Sequence, residues 1–459
     1  MKAEVILSCR KPEQSLMSAP ALTFHPDTDG QEMNLLQVYG SISFQQLDGF
    51  GGAFTQSSAK LYEQMGKANQ ARIMELLFSK TKGLGYTWGR IPIGACDFST
   101  GNYAYTSPVH PDFDRGILEA EAAVPMILEA KKYCPELELM ASPWSPPAHM
   151  KTNGRMCGGG KLLPQARQAY AAYLTSYLRH ALKLGLPITR LSLQNEPKAR
   201  QTWESCLYTA REEGEFLRDF LIPEMENQGL GDIGILLWDH NKERVFLRAR
   251  EILSMPRMPA AIRGIVFHWY SGDHFENLEL CRRFFPDMEL VFSEGCVELK
   301  TAKTNAAAQA ARQEAENGAW AYGECYAHDI IGDLNAGMNR FIDWNLLLDT
   351  QGGPNHVGNY CSAPILCDPI SGEIAIQPSY RFLAHFSRFL PRGSRRVALS
   401  RYTSDIQAVA ARTPDGQLVL IAMNATDREL PVTISDVDKG MLADTTLIPH
   451  SIVTVCWQG

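Results

Sequence analysis

Eight short apolar runs, each ending in polar or aromatic residues, limit what this chain can fold into more than any other feature. They fall at Gly49–Phe54, Tyr86–Ile93, Leu137–Ser142, Leu191–Glu196, Ile233–Trp238, Gly264–Trp269, Leu290–Glu294 and Arg340–Asn345. Segments with helical periodicity lie between several of them, at Arg115–Tyr133, Pro164–Leu184, Ala210–Asn227 and Asn241–Leu253. Strand alternating with helix is what parallel βα units require. Eight such units predict a closed (β/α)8 TIM barrel of the α/β class, in preference to an open doubly wound sheet.

From about Gly393 the helical periodicity stops. Arg396–Tyr402, Ile406–Arg412, Gln417–Asn424, Glu429–Ser435 and Thr446–Trp457 read as short strands, with Pro414-Asp415-Gly416 as a hairpin turn, and together they predict a β-sandwich. The runs Val5–Ser8, Leu22–His25 and Leu35–Phe44 precede the first barrel strand. They are expected to complete that side domain from the other end of the chain. The resulting division is 1–44 for the N-terminal strands, 45–390 for the catalytic barrel and 391–459 for the C-terminal β-sandwich.

With 459 residues, 45% of them hydrophobic, 21% charged and a formal net charge of −7, the chain can bury a large core and lacks the basic surface that nucleic acid demands. No run approaches the ~18 apolar residues needed to cross a membrane. Met1–Arg10 carries too little apolar length for a signal peptide, so a cytoplasmic location is expected. Eleven cysteines without a CxxC pair suggest reduced thiols. The sequon Asn424-Ala425-Thr426 is expected to stay bare.

In a barrel of this kind, reactive groups belong at the C-terminal ends of strands. Those ends supply Asp97, Trp144, Asn195, Glu196, Trp238, Asp239, His268, Trp269, Tyr270, Glu294, Asp343, Trp344 and Asn345. Glu196 and Glu294 each close an apolar strand, where an ionised carboxylate is costly to bury without a purpose. Two facing carboxyl groups are the minimum machinery of glycoside hydrolysis: one protonates the departing oxygen, and the other attacks or activates water. Aromatic rings beside the pair can stack on a sugar face.

Several motifs together resemble glycoside hydrolase family 30. They are Asp48-Gly49-Phe50-Gly51-Gly52-Ala53-Phe54, Gly83-Leu84-Gly85-Tyr86, Cys96-Asp97-Phe98-Ser99, Ser142-Pro143-Trp144-Ser145-Pro146-Pro147, Gln194-Asn195-Glu196-Pro197, His268-Trp269-Tyr270, Ser293-Glu294-Gly295, and Asp343-Trp344-Asn345 with Gly352-Gly353-Pro354-Asn355. The resemblance covers about 48 to 355 in family order. It implies a retaining β-glycosidase of the glucosylceramidase-like kind, needing neither cofactor nor metal, with Glu196 as acid/base and Glu294 as nucleophile. It also implies that Asn195 contacts the hydroxyl beside the reacting carbon, that Asp97, Trp144, Trp344 and Asn355 hold the terminal sugar, and that Tyr270 sits near the nucleophile. Gln56 stands where many members have an acidic residue.

The substrate expected is therefore a terminal β-linked glucose-type sugar, on a glycoside or an oligosaccharide. The same resemblance leaves open β-1,6-glucan, β-xylosides and β-fucosides, and a non-catalytic carbohydrate-binding protein is the alternative of another class. Neither nucleic acid nor a transmembrane segment is expected, and the oligomeric state is open. Gly229-Leu230-Gly231-Asp232-Ile233-Gly234 matches a dinucleotide motif but precedes a strand instead of following one. Cys325 and His328 have metal-like spacing with no second pair beside them.

Overall fold

Each of the eight apolar runs carries a parallel strand. The structure, a computed structural model, describes residues 1–11, 14–299 and 305–459. The strands Gly49–Ala53, Trp88–Ile93, Glu138–Pro143, Ile188–Ser192, Gly234–Asn241, Ile262–His268, Glu289–Glu294 and Arg340–Asp343 pair in chain order and close into a barrel. Being covered on both faces, they read as near-continuous apolar runs without alternation. Glycine is required where backbones come close: a Cβ on Gly51 would lie 1.9 Å from the Trp88 carbonyl oxygen on the neighbouring strand.

The barrel interior is filled by Trp88, Met140, Leu236, Val266, Val291 and Ile342, one from each of six strands. Side chains two positions apart on a strand share a face. One step toward the C-terminal end, the same inward face therefore carries Arg90, Ser142, His268 and Ser293. An apolar plug thus supports a polar layer, and that layer is the floor of the site.

Strand ends differ from the sequence expectation in places. The fourth strand stops at Ser192 and the fifth runs on to Asn241, so Asn195 and Glu196 lie in the loop after their strand. The expected Arg115–Tyr133 helix is two, Arg115–Glu119 and Ala123–Tyr133. The expected Ala210–Asn227 helix includes a π segment, Leu217–Leu221, just before Pro223, which has no N–H to give the helical ladder.

The side domain is a curled ten-stranded sheet built from both ends of the chain. Lys2–Cys9 pairs antiparallel with Ser451–Gln458, with Val5 opposite Val455, and Leu35–Gln46 lies between Arg395–Arg401 and Leu430–Asp436. Its separate core includes Leu36, Val397, Leu420 and Trp457, and the Trp457 indole donates to Asp436 at 2.9 Å. The expected Thr446–Trp457 strand is in fact parts of two, Met441–Leu447 and Ser451–Gln458. Pro449 lies in the turn between them, where its missing N–H costs no ladder bond. Among the described residues no helix is long and apolar enough to cross a membrane.

Candidate active site

Arg90 organises the site from beneath. An arginine in an apolar strand, fully buried, is tolerable only if its donors are matched. Its Nη1 donates to Glu294 Oε2 at 2.6 Å and to the Ser293 carbonyl at 3.3 Å. Its Nη2 donates to Asn195 Oδ1 and Asp239 Oδ2, both at 2.8 Å, and its Nε donates to Ser142 Oγ at 3.2 Å. The guanidinium carbon also lies 4.7 Å from the Trp144 ring centre and 5.6 Å from that of Trp344, within cation–π range.

Glu294 ends the seventh strand. Besides Arg90 it accepts the Tyr270 hydroxyl at 3.1 Å. Burial pushes its carboxyl above the ordinary range, opposed by the charges of His268 and Arg90. Glu196 lies across the same cavity, its Oε1 at 3.3 Å from His268 Nδ1 and 3.4 Å from His240 Nδ1. Burial disfavours its charge, yet the contacts and charges of the two imidazoles hold it below the usual carboxylate range.

His268 links this carboxylate to a second one, since its Nε2 meets Asp239 Oδ1 at 3.2 Å. Burial pulls His268 down, but Glu294, Asp239 and Glu196 outweigh it and hold the imidazole up to about 9. Asp239 itself is kept low against burial by the Arg90 charge and its hydrogen bonds. Three carboxylates therefore face one permanent cation, which favours keeping a proton on the His268–Glu196 pair. Positive φ angles at Glu196 (48°), Trp238 (82°), Asp239 (55°) and Asn345 (63°) mark backbone strain gathered at this end of the barrel.

The cavity has a volume of about 590 Å³ including its mouth, and Asp97, Trp144, Asn195, Glu196, Tyr270, Glu294 and Trp344 all line it. Trp144 and Trp344 stack with ring centres 5.3 Å apart, so each packs on the other, and both line the cavity. Burial, then the charge of Glu294, raises Asp97 to about 8. Near neutral pH it is mostly a neutral acid able to donate one hydrogen bond and accept another.

Asn355, expected in the sugar site, is not among the residues that line the cavity. Its Oδ1 accepts the backbone N–H groups of Val357, Gly358 and Asn359, and its Nδ2 donates to the Asn359 carbonyl at 2.6 Å. The side chain is consumed in shaping its own loop, and Asn359 borders the cavity in its place, donating to Asp97 Oδ2 at 3.0 Å. Gln56 is also outside the cavity lining, accepting the Thr100 N–H at 2.8 Å.

Sequence reasoning passed over Arg90, His240, Asn359 and Cys296. Arg90 had a usable signal, a lone charge inside Trp88-Gly89-Arg90-Ile91-Pro92-Ile93. Among the described residues, Glu196, His240 and His268 are the one group whose ligand atoms converge enough for a metal ion. An ion bound there would take up the Glu196 carboxylate. His328 is engaged by Gln407 and Asp273 at 2.7 and 2.9 Å.

A family model described as the glycosyl hydrolase family 30 TIM-barrel domain matches residues 47–390, and one described as the family 30 beta sandwich domain matches 393–455. The chain is 32% identical to the lysosomal acid glucosylceramidase of Mus musculus over 441 residues, covering 92% of this chain and 83% of that one. It is 26% identical to an endo-1,6-beta-D-glucanase of Neurospora crassa over 435 residues, covering 89% and 85%. Among solved structures, SrfJ from Salmonella typhimurium superposes with a TM-score of 0.92 at 35% identity, covering 100% of both chains.

Proposed function

We propose, from the premise that the chain belongs to glycosyl hydrolase family 30, that it is a retaining β-glycosidase releasing terminal β-linked glucose-type sugars. The observation that carries this is the convergence of Glu196 and Glu294 on one cavity, each supplied with the partners its role needs. Arg90 holds Glu294 by Oε2 and stabilises its charged form, so Oε1, hydrogen-bonded only by the neutral Tyr270 hydroxyl, can attack the anomeric carbon and form a glycosyl ester. Glu196 protonates the departing oxygen, drawing on the proton it shares with His268.

Ester formation then changes the electrostatics. The charge on Glu294 disappears, and with it one reason for the site to hold a proton. Glu196 is left as a carboxylate able to take a proton from the incoming water, which cleaves the ester and returns the sugar with its original configuration. Asn195, pinned by Arg90, presents its amide beside the reacting sugar. Asp97 and Asn359 supply polar contacts to the far hydroxyls, and Gln201 and Trp203 at the rim face the aglycone.

A pocket closed around Asp97, Trp144 and Trp344 takes one terminal unit, so action should be exo. Digestion of a linear β-glucan oligosaccharide, followed by chromatography, tests this. Single glucose units from the outset support the reading. Early release of larger fragments points to an endo-β-1,6-glucanase, and sugar bound without hydrolysis to a carbohydrate-binding protein.

A further inference from the structure

Two cysteines far apart in sequence meet beside the nucleophile. Cys296 follows Glu294 by two residues, and its Sγ lies 2.8 Å from the Sγ of Cys361. Both are thiols and both are buried. The loops that carry them run alongside each other: Ser362 N–H donates to the Val297 carbonyl at 2.8 Å, Leu299 N–H donates to the Tyr360 carbonyl at 2.9 Å, and Glu298 pairs antiparallel with Cys361.

The contact reaches the catalytic machinery at two points. The Tyr270 hydroxyl is 3.6 Å from Cys296 Sγ and 3.1 Å from Glu294 Oε1. Cys361 is two residues after Asn359, whose amide holds Asp97. Cys296 borders the cavity while Cys361 stands behind it, so a small oxidant arriving through the mouth meets Cys296 first.

We propose that Cys296 and Cys361 form a site of reversible oxidative modification, at which a hydroperoxide entering the sugar cavity converts the two thiols to a disulfide and slows turnover. In the first step the Cys296 thiolate attacks the peroxide, takes one oxygen to become a sulfenic acid and releases the other as water or an alcohol. In the second step the Cys361 sulfur attacks the Cys296 sulfur, the S–S bond forms and water leaves. Two thiols and one hydroperoxide thus give one disulfide, one water and one further water or alcohol, with the peroxide reduced by the two electrons the thiols lose.

Bonding draws the sulfurs from 2.8 Å toward the ~2.05 Å of a disulfide and pulls on the Glu294 loop. A misplacement of reacting groups by about 1 Å can cost about a hundredfold in rate, so a smaller shift here is expected to slow turnover by less than that. Burial pushes the Cys296 thiol well up. In Cys361 the hydrogen bond from Cys296 lowers the thiol, but burial and nearby carboxylates leave it raised. Thiolate is therefore scarce, and cross-linking is slow at neutral pH and faster in mild alkali.

The test treats the full chain with hydrogen peroxide in mild alkali, blocks remaining thiols and maps peptides by mass. The expected product joins the Cys296 and Cys361 peptides, two hydrogens lighter than their sum. Turnover of a nitrophenyl β-glucoside falls in step and returns with dithiothreitol. Cys361→Ser, with Cys361→Ala as a second variant, should give no cross-link and an activity loss that dithiothreitol does not reverse, because the Cys296 sulfenic acid oxidises further. Oxidation of the exposed Cys325 without the Cys296–Cys361 bond overturns the proposal, as does a complete cross-link with unchanged turnover. The rate arm rests on the glycosidase reading, whereas the cross-link is read by mass alone, so the two can fail separately.

Discussion

Replacing Arg90 with methionine is the severest single perturbation the site offers short of removing a catalytic carboxylate. The side chain keeps much of its apolar stem but loses all five hydrogen bonds and the permanent cation paired with Glu294 and Asp239, which are 7% and 0% exposed. Removing one partner of a buried ion pair costs about 3–5 kcal/mol, because the remaining charge is left desolvated. The lost charge-assisted bond to Glu294 is worth about 1.5–3 kcal/mol, or roughly tenfold to a hundredfold in kcat/KM. Urea unfolding and kcat/KM on a nitrophenyl β-glucoside read the two effects. Adding Asp239→Asn should restore part of the stability, since the orphaned charge is gone, without restoring the rate. Arg90→Lys should rescue poorly, because an ammonium cannot span Glu294, Asn195 and Asp239 as the guanidinium fork does. A single variant within about 1 kcal/mol of the parent, or with less than about threefold loss of kcat/KM, would refute the reasoning.

Two further outcomes follow from the same geometry. Glu196→Gln should lose most activity on poor leaving groups yet keep measurable first-step cleavage of dinitrophenyl glycosides, which need little protonation; equal losses on both would remove Glu196 from the acid role. With His268 held up to about 9, the proton of the His268–Glu196 pair is retained below that pH and lost as pH rises through it. The kcat/KM for a poor leaving group should therefore decline on the alkaline side near pH 9, while that for a dinitrophenyl glycoside should not.

The barrel was legible because parallel strands buried on both faces leave continuous apolar runs, and the ends of those runs led to Glu196 and Glu294. Arg90 escaped because it sits mid-strand, where its direction depends on how the barrel closes. Asn355 and Asn359 share one loop, and outside regular structure no periodicity says which of two amides points inward. The C-terminal part of the side domain was read as one strand too few because the apolar character continues across Pro449. The Cys296–Cys361 contact exists only once two loops pair, so spacing along the chain carried no sign of it.

The central claim is that Glu294 becomes covalently bonded to the sugar. A 2-deoxy-2-fluoro β-glucoside with a dinitrophenyl leaving group tests it most directly, because the good leaving group lets the ester form and the fluorine slows its hydrolysis. Mass analysis of the quenched enzyme should find one fluoroglucosyl group, on the peptide that contains Glu294. A label on any other residue, or an unlabelled enzyme that releases the α-anomer first from an ordinary substrate, would contradict the account.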